Sequence, residues 1–332
     1  MADSVTVVMP RLRTEPLERT ALLDAGANLA VHGPAVGLRS TVSSYVALTK
    51  PRIIELLLVS TIPTMFVAER GVPGLWLMVC TLVGGTLAAG GANAINMVVD
   101  VDIDTIMKRT QGRPLVTGAM TPRAALTFAI SIEAAAFAFL WVTVNLLSAV
   151  LAVSACLFYV FIYTLWLKRS STQNIVIGGA AGAAPVLIGW SAVTNRLDWA
   201  PVVLFAVIFF WTPPHFWALA VKYRDDYAAA HVPMLPSVVS FSQTVSAMLR
   251  YTVVMVACTI AFYWVGDMGW IYLLAAVASG GFFLAQVLGL AKIGRDGTDP
   301  NKASMRLFGW SITYLVILFG AMAVDQLVVH GF

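Results

Sequence analysis

The chain has 332 residues, 59% of them hydrophobic and 11% charged, with a mean hydropathy of +0.82. That composition excludes a soluble globular domain and points to an all-α polytopic membrane protein without a soluble block large enough to hold its own core. The formal charge of +4 calls for no nucleic-acid partner, because a basic rim facing anionic lipid accounts for it.

Residues 1–44 carry scattered charges, Ser, Pro and Gly around no long apolar run. They read as a disordered cytoplasmic N-terminal tail rather than a secretory signal, leaving 45–332 as one membrane domain. Nine apolar stretches then follow, at 52–70, 75–100, 122–143, 146–166, 174–194, 199–221, 243–265, 269–292 and 307–329. Each is close to the roughly 20 residues needed to cross a bilayer core, and in lipid such segments must be helical to satisfy their backbone. Cys80, Cys156 and Cys258 all fall inside these runs and read as small buried hydrophobes, without disulfide or zinc spacing.

Eighteen of the 21 lysines and arginines fall before the first span or in alternate connections, while Arg70 and Arg196 lie on the other side and Arg250 inside a span. The positive-inside rule therefore predicts a cytoplasmic N-terminus and, with nine spans, a periplasmic C-terminus. The expected location is the bacterial inner membrane.

The second span ends in GGANAINMVVDVDIDTIMKRTQGRP. Asn96, Asp100 and Asp104 recur at i, i+4 and i+8, so at helical spacing they share one face and cover about 12 Å of axis. Carboxylates beside hydrocarbon are costly and call for a cation. Hard oxygen ligands on one face suit Mg²⁺ bridging to substrate phosphates, which Lys108, Arg109 and Arg113 just beyond can grip. Asp102 lies off that face and reads as solvated.

KRSSTQN at 168–174 opens on the same membrane face, making Lys168 a further diphosphate candidate. Asn174 starts a span whose Gly178, Gly179, Gly182 and Ala183 permit close helix approach. His215 sits in WTPPHFWALA, inside a span and beside two prolines; it reads as a core group, a proton relay or a metal ligand. Between the sixth and seventh spans, again on the predicted cytoplasmic side, come Lys222, Arg224, Asp225 and Asp226. Two polar patches from distant segments can thus converge on one cavity.

These residues carry a resemblance. NMVVDVDIDTIMKRTQGRPLVTG resembles the NxxxDxxxD signature of the UbiA-type intramembrane prenyltransferases, and its MKRTxxRPL extension is similar to the heme-farnesylating branch. YVALTKPRI, YTLWLKRSSTQNIVIGGAAGAAPVLIGW, TPPHFWALA and DDYAAAHVPMLP agree with that branch, and the similarity covers roughly 45–325.

The resemblance implies nine helices around a central cavity and Mg²⁺-assisted ionisation of farnesyl diphosphate. It also implies farnesyl transfer to a vinyl group of heme B, giving heme O for heme-copper terminal oxidases, with membrane lipids and a heme A synthase or oxidase assembly factor as partners. Asn96, Asp100 and Asp104 match the catalytic motif, Asp225 and Asp226 the second acidic segment, and His215 becomes the candidate heme contact. There are two departures. Ala230 follows Asp226 where many relatives have a second carboxylate, and His231 stands where heme-farnesylating members usually carry Gly. Another acceptor, an aromatic acid or a chlorophyllide, would use the same first motif, and intramembrane acids with Gly-broken helices also occur in secondary transporters.

Overall fold

A computed structural model describes residues 38–296 and 299–331. Thr41–Phe332 form one compact unit; of the other, Met1–Ser40, nearly all lies outside the described residues, and so does most of the expected tail. The last residues assigned to that tail belong instead to helix α1, Leu38–Thr49.

The helices that follow are α2 (Pro51–Glu69), α3 (Leu75–Val99), α4 (Val101–Ile106), α5 (Pro122–Thr143), α6 (Leu146–Ser170) and α7 (Asn174–Thr194). After them come α8 (Trp199–Lys222), α9 (Arg224–Ala229), α10 (Leu235–Val238), α11 (Phe241–Val265), α12 (Trp270–Asp296) and α13 (Asn301–His330). There is no strand among the described residues. Eight helices there are long and apolar enough to cross a membrane: α3, α5, α6, α7, α8, α11, α12 and α13. The first expected span, 52–70, falls on the 19-residue α2. The chain is an integral membrane protein.

Sequential helices pack as neighbours, and α13 closes the circuit by packing on both α2 and α8. α7 and α8 are the most buried of the spans and touch α2, α6 and α13 between them. The small residues of α7 explain its central place. A Cβ on Gly189 would lie 2.8 Å from the Thr61 carbonyl oxygen of α2, so only glycine lets those backbones meet. At Gly178 a Cβ would strike the Tyr163 ring, so that glycine seats the aromatic ring of α6.

The turns at each end of the bundle fix which residues share a membrane face. Arg70, at the end of α2, lies 3.7 Å from Asp267 in the α11–α12 turn, and Asn145 before α6 donates to the Ser191 carbonyl near the end of α7 at 2.7 Å. Exposed Trp76, Trp141, Trp199, Trp264 and Trp270 all sit at helix ends on this same side. Such a belt is what a membrane interface selects, because an amphipathic ring is half apolar and half wet. Asp100 and Asp104 lie at the opposite end of the bundle, at the end of α3 and in α4.

Candidate active site

The acidic ladder is bent but keeps its spacing. α3 ends at Val99, Asp100 leaves helical geometry (φ −93°, ψ 11°), and α4 resumes at Val101. The Asp100 amide still donates to the Asn96 carbonyl at 3.0 Å, and the Asp104 amide to the Asp100 carbonyl at 2.8 Å. Asn96, Asp100 and Asp104 therefore remain stacked, and all three are buried.

Burying two carboxylates demands compensating charge. Lys168 at the end of α6 donates to Asp100 Oδ2, and Arg113 in the loop after α4 donates to Asp104 Oδ2. Asn96 Nδ2 donates to Asp100 Oδ2 at 2.7 Å and to Thr164 Oγ1 at 3.1 Å. Arg169 lies 3.6 Å from Asp100 Oδ1, and it holds Asp102 bidentately at 2.6 and 2.8 Å. Asp102 is thus off the buried face, as its position suggests, but paired; the Arg169 hydrogen bond lowers its pKa to about 2.

Lys168 reaches Asp100 through an irregular helix. Residues Phe158–Leu167 form a π-helical segment inside α6, where Thr164 Oγ1 donates to the Tyr159 carbonyl five residues back at 2.8 Å. Such wide turns cluster at functional sites because they re-aim side chains. Here Tyr159 and Tyr163 stack with centroids 5.3 Å apart on the cavity wall, while Thr164 and Lys168 meet the ladder.

Lys50 completes the cluster, and the sequence reading misses it. It sits between α1 and α2 with a left-handed backbone (φ 52°, ψ 62°) and donates to Asn96 Oδ1 at 2.7 Å. Burial, then the charges of Arg113 and Lys168, bring its pKa down to about 7. In TKPRI a lysine beside a span entrance looks like topology. Only the unusual residue before Pro51 hints at a directed side chain.

The remaining candidates lie further out. Lys108, Arg109, Lys222, Arg224 and Asp225 are exposed, and Asp226 is half-buried. Arg109 and Lys222 converge on the Tyr223 ring, 5.6 and 5.5 Å from its centroid, and so tie the loop after α4 to the end of α8. Among the described residues no three His, Cys, Asp or Glu side chains come close enough to share one ion, so Asp225 and Asp226 do not join Asp100 and Asp104. The oxygen ligands that are assembled are Asn96, Asp100 and Asp104. They fit a hard divalent cation that keeps positions for phosphate, and Asp100 Oδ1 is buried without a hydrogen-bond partner.

His215 is elsewhere. Its Nδ1 lies 2.6 Å from Ser311 Oγ, and its ring stacks between Trp211 and Phe308 at 4.2 and 4.6 Å. That is the α8–α13 contact, and His215 is not among the cavity-lining residues. Its surroundings are those of a packed core group, one of the readings its sequence position left open.

Next to the ladder opens a cavity of about 320 Å³. Tyr159, Tyr163 and Asn93, one turn before Asn96, line its polar end, and Thr81 and Leu82 line the deep end of the same helix. At 1.5 Å per residue the lined stretch of α3, Thr81 to Asn93, is about 18 Å long. The walls between are apolar, with Ile188, Ile208 and Leu315 among them. A cationic and acidic cluster thus caps a greasy channel.

The model of the UbiA prenyltransferase family matches residues 57–312. The chain is 57% identical over 284 residues to the protoheme IX farnesyltransferase of Frankia casuarinae, covering 86% of this chain and 98% of that protein. Its fold is similar to that of a digeranylgeranylglyceryl phosphate synthase (TM-score 0.71, 15% identity, 87% of this chain and 99% of the other). It is also similar to that of a UbiA homolog from Archaeoglobus fulgidus bound to DMAPP and Mg²⁺ (TM-score 0.59, 16% identity, 85% and 99%). With more than half its length matched by the family model and a relative of this identity matched almost end to end, the chain belongs to the UbiA prenyltransferase family.

Proposed function

We propose that the protein transfers a farnesyl group from farnesyl diphosphate to a vinyl group of heme B, making heme O for heme-copper oxidases. The observation that carries this reading is the 57% identity to a protoheme IX farnesyltransferase over nearly that protein's whole length. The site supplies the chemistry: buried oxygen ligands ringed by lysines and arginines, at the mouth of an apolar channel.

Asn96, Asp100 and Asp104 would hold a divalent cation, which when bound neutralises the diphosphate as its bond to the allylic carbon breaks. Lys168 and Arg113 pair with these carboxylates. These two cations, with Lys50 and Arg169 beside them, are placed to stabilise charge on the leaving diphosphate. Lys108, Arg109, Lys222 and Arg224 form an outer basic rim that draws the anion in. Tyr159, Tyr163 and the apolar walls keep water from the farnesyl cation until the vinyl group, a weak nucleophile, forms the new carbon–carbon bond; the cation this leaves on the former vinyl carbon then takes up a water and releases a proton, giving the hydroxyl of heme O.

The basic end faces the cytoplasm of the bacterial inner membrane in this reading, with the tryptophan belt and the C-terminus on the periplasmic side. Heme O then passes to a heme A synthase or an oxidase assembly factor. A transporter would place its coordinating acids near the midplane, whereas Asp100 and Asp104 lie where the spans end. Purified protein given heme B, farnesyl diphosphate and Mg²⁺ yields a farnesylated heme by mass. Failure to form it, or transfer to an aromatic acid instead, overturns the proposal.

A further inference from the structure

The glycines of α3 are of two kinds. A Cβ on Gly84 would strike the Leu140 side chain of α5, and one on Gly91 would lie 3.2 Å from the Ala129 carbonyl oxygen, so both serve helix packing. Gly85 is different. It lines the apolar cavity and a Cβ there would meet nothing within 4 Å, so the space its side chain would fill belongs to the channel.

Gly85 also lies on the face of α3 that carries the ladder. Eleven positions separate it from Asn96, which is close to three turns and about 16.5 Å of axis. Between them the helix presents Ala88, Ala89, Ala92 and Asn93 to the cavity, none larger than asparagine. Bulk returns one turn beyond Gly85, where Thr81 and Leu82 line the deep end. One helix therefore holds the oxygen ligands at the mouth of the channel and supplies the floor at its far end.

Resting on farnesyl diphosphate as the donor, we propose that Gly85 and Leu82 fix the length of isoprenoid chain that the protein accepts. With the diphosphate held at Asn96, Asp100 and Asp104, the chain runs down the apolar channel, and its last isoprene unit lies beside Gly85 and against Leu82. Geranyl, one unit shorter, leaves that end empty and forfeits its apolar contacts. Geranylgeranyl, one unit longer, runs into Leu82. Length is read as a distance along a single rigid helix.

The test is Gly85→Val, given heme B, Mg²⁺ and an equal mixture of farnesyl and geranyl diphosphates, with the two prenylated hemes counted by mass. The added side chain enters open space and replaces a helical glycine, so the melting temperature in detergent holds or rises. The ratio of farnesylated to geranylated heme falls about tenfold, the penalty for overfilling the end of the channel. Titration of each diphosphate with Mg²⁺ and without heme shows affinity shifting in the same direction. Leu82→Ala moves selectivity the other way, toward geranylgeranyl diphosphate. Gly320→Val is the control: this exposed glycine of α13 also has nothing near its Cβ but lies outside the cavity lining, and its substitution leaves the ratio alone. An unchanged ratio in Gly85→Val, or an equal fall in Gly320→Val, overturns the assignment of Gly85. No gain with geranylgeranyl diphosphate in Leu82→Ala overturns that of Leu82. A wild-type protein that prenylates no heme with any of these diphosphates instead overturns the activity on which the inference rests.

Discussion

Lys168 Nζ and Asp100 Oδ2, 68 positions apart in the chain, form an ion pair in which the carboxylate is fully buried and the ammonium side chain 15% exposed. The asymmetry matters. Asp100 is sealed inside the bundle, and Lys168 is the partner nearer solvent. Asp100→Asn keeps the shape and the hydrogen bond from Asn96 but removes the anion that a divalent ion needs. Farnesyl transfer is expected to fall about 100-fold or more, with expression and folding retained. Asp104→Asn is expected to do the same and to move the Mg²⁺ requirement to higher concentration. A mass-based assay across a Mg²⁺ titration checks both, and near-normal heme O formation by either variant refutes the metal assignment.

Lys50 gives a pH prediction for stability. Its pKa falls from 10.5 to about 7 on folding, chiefly through burial and then through Arg113 and Lys168. Between those two values the unfolded chain carries the extra proton, so stability rises with pH across the window, and the full penalty is present below about pH 7. Thermal melts in detergent at pH 7 and pH 9 measure the rise. Lys50→Met should flatten it, and an undiminished slope in that variant would show that other groups cause it.

Asp325 predicts stability without activity. Buried on α13, it accepts from the Gly269 amide at 2.5 Å and the Tyr272 amide at 3.1 Å, and so caps the start of α12 from a neighbouring helix. Helix N-termini leave such amides without partners, and a carboxylate there also meets the positive end of the helix dipole. Asp325→Ala should cost about 2–3 kcal/mol by orphaning both donors, and Asp325→Asn less. The KM values of both substrates stay put, because this end of the bundle is remote from the ladder. A change in either KM with unaltered melting would contradict the structural role.

The sequence by itself determined the membrane architecture, the identity of the ladder and its need for a cation. These follow from local rules: length of apolar runs, i+4 periodicity and the cost of charge beside lipid. The expected spans from 75–100 onward coincide with helices to within a few residues at most ends. Only the tertiary structure decided which cations meet which acids. Arg113 and Lys168 turn inward while Lys108 and Arg224 stay exposed, and Asp225 and Asp226 do not join the buried carboxylates. His215, conspicuous in a span, packs against Ser311, while Lys50, unremarked beside a proline, reaches Asn96. The physical reason is that side-chain direction at a helix end depends on features that leave no period in the sequence. Here these are a left-handed residue before α2, a break at Asp100 and a π-helical segment in α6.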